Sequence, residues 1–239
     1  MEKQFGMPLG DWQPPGMPQA GQMQGHYVQL ERMTVDHAHA LYRTLGGQDG
    51  LWDYMAVGPF HAEAGFIRWV TEQAALSDPM FFVVIDPRTG QAGGLLSYMR
   101  IAPAMGVIEI GSIVIGPELQ RSRATTEAFL LMIGYAFENG YRRVEWKCDA
   151  LNLPSRNAAQ RLGLSYEGVF RQAIHYKGRN RDTAWFAAID QDWPALREAY
   201  RAWLSPTNFD ADGRQIERLS DLTRLVRVSH DPELVQDVV

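Results

Sequence analysis

Residues 111–129 read GSIVIGPELQRSRATTEAF. The β-branched run Ile113-Val114-Ile115 stops at Gly116-Pro117, and an apolar helical pattern opens after Thr125. The polar bend between them, 118–125, carries Arg121 and Arg123. A helix N-terminus presents unpaired backbone N–H groups and about half a positive charge, and phosphates bind there readily. Two arginines in the same bend add charged donors. The stretch therefore reads as a phosphate or pyrophosphate cradle. The competing reading is a solvated loop with two surface arginines.

The flanking chain decides what kind of fold holds this junction. Upstream, FFVVID, the turn PRTG and GGLLSYMRI read as a hairpin, with Gly90 supplying a positive φ. VIEIGSIVI is a third strand, which predicts an antiparallel meander. Downstream, the helix runs to about Glu138 and stops at Asn139-Gly140. RVEWKCD then alternates as a half-buried strand. Strand, helix and strand from Ile108 to Asp149 form a crossover, so the two strands should be parallel neighbours.

NLPSRNAAQRLGL reads as a helix with Pro154 at its start and Gly163 at its end. YEGVFRQAIHY and TAWFAAID are two further strands joined by the loop KGRNRD. Nearer the N-terminus, HYVQLERM is a strand, Thr34 caps a helix to about Leu45, and FHAEAGFIRWVTEQAAL is a second helix. The fold class expected is α/β in the α+β sense: a mixed, mostly antiparallel central sheet flanked by helices. Residues 1–25, rich in Pro, Gly and Met, read as a flexible arm. Residues 26–190 are the domain. Residues 191–239 are a C-terminal helix, capped by Asp192, and a polar tail.

Composition narrows the function. The 239 residues are 46% hydrophobic with a formal net charge of −5. There is no run of about 18 apolar residues, so no membrane partner is expected, and no Lys/Arg block, so no nucleic-acid partner. The N-terminus lacks a secretory pattern. A single cysteine, Cys148, excludes an internal disulfide and a Cys-based zinc site, and suits a reducing cytoplasm. No metal is expected. P-loop, Rossmann and nucleophile-elbow motifs are all missing.

The order EIGSIVIGP–LQRSRATTEAF, NLPSRNAAQRLGLSYEG and the hairpin around KGRNRDTAWFA resembles the GNAT superfamily of acyl-CoA-dependent N-acetyltransferases. The RimJ/RimL-like branch is the nearest match, over about residues 27–190. The resemblance implies acetyl-CoA as co-substrate and direct attack by a primary amine in a ternary complex. The acceptor would be a small molecule or a peptide N-terminus, and the resemblance leaves room for a homodimer.

It also implies site residues. A bulge should splay the strand at Ile113 and Ile115, which pair with the pantetheine arm. The amides of Gln120, Arg121, Ser122, Arg123, Ala124 and Thr125 should hold the pyrophosphate. The family's loop glycines are replaced here by Arg121 and Arg123, so a tight right-handed turn would have to present the amides. Asn152 should reach the pantetheine region, and Ser155 the thiol, as proton donor or anchor. The base is Glu109, His175 or a relayed water. Arg179, Arg181 and Asp182 lie near the expected acceptor side, either selecting substrate charge or forming a solvated turn. The alternative to catalysis is an acyl-CoA-binding sensor or scaffold.

Overall fold

The computed structural model describes residues 3–234. Eight strands form one sheet in the order β1-β2-β3-β4-β5-β6-β8-β7. They are β1 (Gln22–Gln24), β2 (Gln29–Arg32), β3 (Met80–Ile85), β4 (Ala92–Ala102), β5 (Val107–Ile115), β6 (Arg143–Asp149), β7 (Ser165–Tyr176) and β8 (Arg179–Ile189). Every neighbouring pair is antiparallel except β5 and β6, which the crossover helix makes parallel. The helices are α1 (Ala38–Leu45), α2 (Glu63–Ala74), α3 (Arg123–Glu138), α4 (Leu153–Arg161), α5 (Trp193–Leu204) and α6 (Leu219–Thr223).

Strand alternation divides the core into two layers. Phe81, Val83 and Leu95 pack with Leu41, Leu45, Phe66 and Val70 of α1 and α2. Phe82, Val84, Leu96 and Tyr98 face the other way, onto Phe129, Ile133 and Ala136 of α3. A sheet buried on both faces explains the nearly continuous apolar run MFFVVI in β3.

The structure amends the expectations for both termini and the last hairpin. Residues 12–25, expected to be flexible, lie along the domain. Trp12 Nε1 donates to Gly140 O at 3.1 Å, Tyr141 Oη donates to Gly16 O at 2.9 Å, and Met23 on β1 is buried. Glu127 of α3 fixes the turn that follows by accepting from the amides of His26, Tyr27 and Val28. The low-complexity composition hid these few anchors. The polar tail is also part of the fold: Asp231 is buried against Arg156 of α4, and Thr223 is fully buried.

Asp192 stands at the N-cap of α5 as expected, but its carboxylate accepts from the Ile189 amide at 3.0 Å instead of bonding the helix amides. The loop KGRNRD is also shorter than expected. Only Lys177 and Gly178 turn, at φ 48° and 72°, so residues 179–182 belong to β8. A two-residue turn with both φ positive matches strand twist, but lysine seldom takes that conformation.

Candidate active site

The site begins where β5 leaves its neighbours. On the β4 side the register passes from Leu95–Val114 to Ser97–Gly111, so β5 carries one extra residue there. Ser112 takes up the bulge at φ 50°, and the buried Ser97 hydroxyl donates to Gly111 O at 3.0 Å. On the other side, β5 pairs with β6 only from Val107–Arg143 to Glu109–Glu145. Beyond that rung the two strands diverge. A cleft of about 1560 Å³ opens between them, lined by Ile113 and Ile115 on one bank and Trp146 and Cys148 on the other.

The turn 116–122 closes one end of the cleft. Leu119 and Gln120 N–H groups bond back to Gly116 O, and Ser122 N–H to Leu119 O. Ser122 caps α3, its Oγ accepting from Thr125 N–H at 3.1 Å. The Ser122 and Thr125 hydroxyls both donate to Leu119 O. Three of the six amides expected to face a pyrophosphate, those of Gln120, Ser122 and Thr125, are thus used by the turn and cap. The N–H groups of Arg121, Arg123 and Ala124 have no acceptor among the described residues.

Arg121 stands at φ 56°. The turn is therefore not wholly right-handed; a non-glycine residue occupies a conformation that costs about 1–2 kcal/mol. The Arg123 guanidinium is drawn aside, 3.9 Å over the Phe209 ring and 5.1 Å from that of Tyr27.

The opposite bank comes from α4. Asn152 is its N-cap, with Oδ1 accepting from Ser155 N–H. Ser155 Oγ accepts from Trp146 Nε1 at 2.9 Å, which leaves its own proton free for another partner. Burial pushes the neighbouring Cys148 thiol up to about 11, with Ser155 opposing the shift. That cysteine is a poor nucleophile near neutrality.

Glu109 lies at the fork itself. It is buried, and its Oε2 meets Arg100 Nη1 at 2.7 Å and Lys147 Nζ at 3.0 Å. Lys147 also holds Glu145 at 2.6 Å, and Arg143 joins Glu145 to Glu167. His175 does not join this group. It is exposed and outside the cleft, whereas its neighbours Ile174 and Tyr176 line it. Alternation along β7, with Ile174 turned inward, dictates that placement.

Tyr176 was not singled out by sequence. Its hydroxyl donates to Asp149 Oδ2 at 2.9 Å, and burial together with that carboxylate pushes it up to about 12. The phenol therefore stays protonated at neutral pH, with its proton directed at Asp149, and its side chain lines the cleft. Arg181, placed on β8 by the short turn, lines the same region. The only signal for Tyr176 was its parity with Ile174.

A bare strand edge leading to free amides at a helix N-terminus suits a ligand with an extended amide arm and a phosphate end. The polar fork beside it suits proton-linked acyl chemistry. Together they define the protein as an acyl-CoA-type N-acyltransferase. A family model described as "Acetyltransferase (GNAT) domain" matches residues 28–165. A crystal structure of a GCN5-related N-acetyltransferase from Brucella melitensis is 43% identical, with a TM-score of 0.88 over 90% of this chain and 100% of the other. A GNAT-family structure from Chromobacterium violaceum is 39% identical, with a TM-score of 0.77 over 82% and 99%.

More distant is the acetyl transferase from Salmonella typhimurium that modifies the N-terminal serine of 50S ribosomal subunit protein L7/L12. At 20% identity and TM-score 0.60, over 69% of this chain and 96% of that one, it shares the fold. No curated protein sequence gives a significant match. The chain belongs to the GNAT acetyltransferase family and is an N-acetyltransferase.

Proposed function

We propose that the protein moves an acetyl group from acetyl-CoA to a primary amine, a peptide N-terminus or a small molecule, by direct attack in a ternary complex. One observation carries this reading: the gap between β5 and β6 runs into the turn at Arg121 and Arg123, whose amides have no acceptor among the described residues. Backbone N–H groups at a helix start favour an anion, and the unpaired edge of β5 favours a strand-like amide chain. Acetyl-CoA supplies a thioester-activated acetyl group.

The protein's own groups divide the remaining work. Ile113 and Ile115 line the arm's path, while Asn152 holds the start of α4, so that the Ser155 hydroxyl lines the cleft beside Cys148. Glu109 is the proposed proton acceptor, reached directly or through a water, and the Tyr176 oxygen lines the cleft with its proton on Asp149. An α-amino group, with pKa about 7.7–8.0, needs less help to become neutral than a lysine near 10.4. Because Glu109 Oε2 is already committed to two cations, non-catalytic acyl-CoA binding is the second reading.

The test has two stages. At about 100 times its Kd, acetyl-CoA should stabilise the fold by about 2.7 kcal/mol, a rise in Tm of roughly 5–10 °C for this size. Thiol release should then follow with members of an amine panel. An unmoved Tm at millimolar acetyl-CoA overturns the reading. A shift with no thiol release across the panel favours binding alone. Ser155→Ala should lower kcat about 10–100-fold with acetyl-CoA affinity within a factor of about two; full turnover would make Ser155 only a partner for Trp146.

A further inference from the structure

Beside Glu109 lies a second, smaller recess of about 290 Å³, walled by Arg100 of β4, Lys147 of β6, Phe170 of β7 and Arg181, Thr183 and Trp185 of β8. Its chemistry is one-sided. Every ionisable residue lining it is a cation. Three of its buried donors, Thr183 Oγ1, Trp185 Nε1 and Arg181 Nε, have no partner among the described residues. Thr183 is 2% exposed, so bulk solvent does not satisfy it, and buried donors are rarely left unmet.

The nearby carboxylates are spoken for. Arg100, Lys147 and Arg143 are matched by Glu109, Glu145 and Glu167. Asp182 accepts from Gln172 N–H and Asn180, and Asp149 from Tyr176. Arg181 has no carboxylate partner among the described residues, and its charge is the surplus.

One wall residue, Arg100, and Gln172, which adjoins the wall residue Ala173, are conformationally strained. Arg100 stands at φ 46° and Gln172 at φ 53°, each at a register shift. Asp78 holds the first by accepting the amides of Arg100 and Ile101; Asp182 holds the second. Such residues persist where a fold over-determines them, often at ligand clamps.

We propose that this recess binds a small oxyanion, a carboxylate or a phosphate, belonging to the acceptor. Arg100 and Lys147 touch both the recess and Glu109. An anion seated among Arg181, Thr183 and Trp185 thus brings an amine on the same molecule to the fork. The acceptor is then a compact zwitterion, an amine a few bonds from its negative group. The oxyanion subsite stands on the recess alone. Only the identification of its ligand as an acceptor rests on the transferase reading.

Two measurements separate those claims. The Trp185 indole N–H signal, assigned by its loss in Trp185→Phe, should shift saturably when acetate or inorganic phosphate is titrated in, but not with chloride. Thr183→Val and Arg181→Gln should abolish the shift while the other indole signals stay in place. In turnover assays, amino acids should be compared with their amides, and aminoalkyl phosphates with the parent amino alcohols. The favoured anionic class should lead its neutral counterpart at least about 10-fold in kcat/KM, through KM, and Arg181→Gln should erase that lead. The class with the larger lead identifies the oxyanion. An unmoved Trp185 signal with both anions overturns the subsite, and parity between charged and neutral amines overturns its role in the acceptor. A saturable shift with no transfer to any amine leaves the subsite standing and removes the transferase reading.

Discussion

Asp231→Ala is expected to lower the unfolding free energy by about 3–5 kcal/mol, because it leaves a buried guanidinium without its counter-ion. The Arg156 side chain is 4% exposed and that of Asp231 0%. Arg156 Nε donates to Asp231 Oδ2 at 2.6 Å, a second bond runs from Nη2 to Oδ1, and Nη1 donates to Ala150 O at 2.7 Å. For a chain of this size the loss corresponds to a fall in Tm of about 6–20 °C. The double variant Arg156→Met/Asp231→Leu should recover much of it, since apolar replacement of a buried pair is often neutral. Urea midpoints of the two proteins make the comparison. A single-variant loss below about 1 kcal/mol would show that the pair is solvated.

On the proposed mechanism, Glu109→Gln should reduce kcat about 100–1000-fold, within the range for loss of a general base. The Kd for acetyl-CoA should hold. The substitution keeps the shape of the side chain, Lys147 keeps Glu145, and Arg100, with 48% of its side chain exposed, can turn to solvent. A folded variant that turns over normally would eliminate Glu109 as the proton acceptor. Single-turnover measurements at saturating acetyl-CoA separate the chemical step from binding.

The meander, the crossover and the helices were legible because their signals are local: alternation in RVEWKCD, the stop at Asn139-Gly140, Pro154 at the start of α4. Individual cleft contacts were less so. Residues 12–25 are held by a handful of distant bonds, such as Trp12 to Gly140, that composition cannot announce. Arg121 occupies a left-handed position that sequence habit assigns to glycine. His175 looked suitable by its chemistry, yet its position next to Ile174 turned it outward. Arg181 was expected near the acceptor side but in a six-residue loop, whereas Lys177-Gly178 alone makes the turn and Arg181 stands on β8. In each case a backbone parity or a long-range partner decided the outcome.

The last rung shared by β5 and β6 sets Glu109 opposite Glu145, two like charges at the point where the strands separate. Lys147 sits between them, 3.0 Å from one and 2.6 Å from the other, with 7% of its side chain exposed. The bulge at Ser112 accompanies the parting of the strands beyond this rung. The single ammonium offsets the repulsion of two carboxylates held face to face, so the vertex of the cleft is a compact three-charge cluster that neither strand could hold alone.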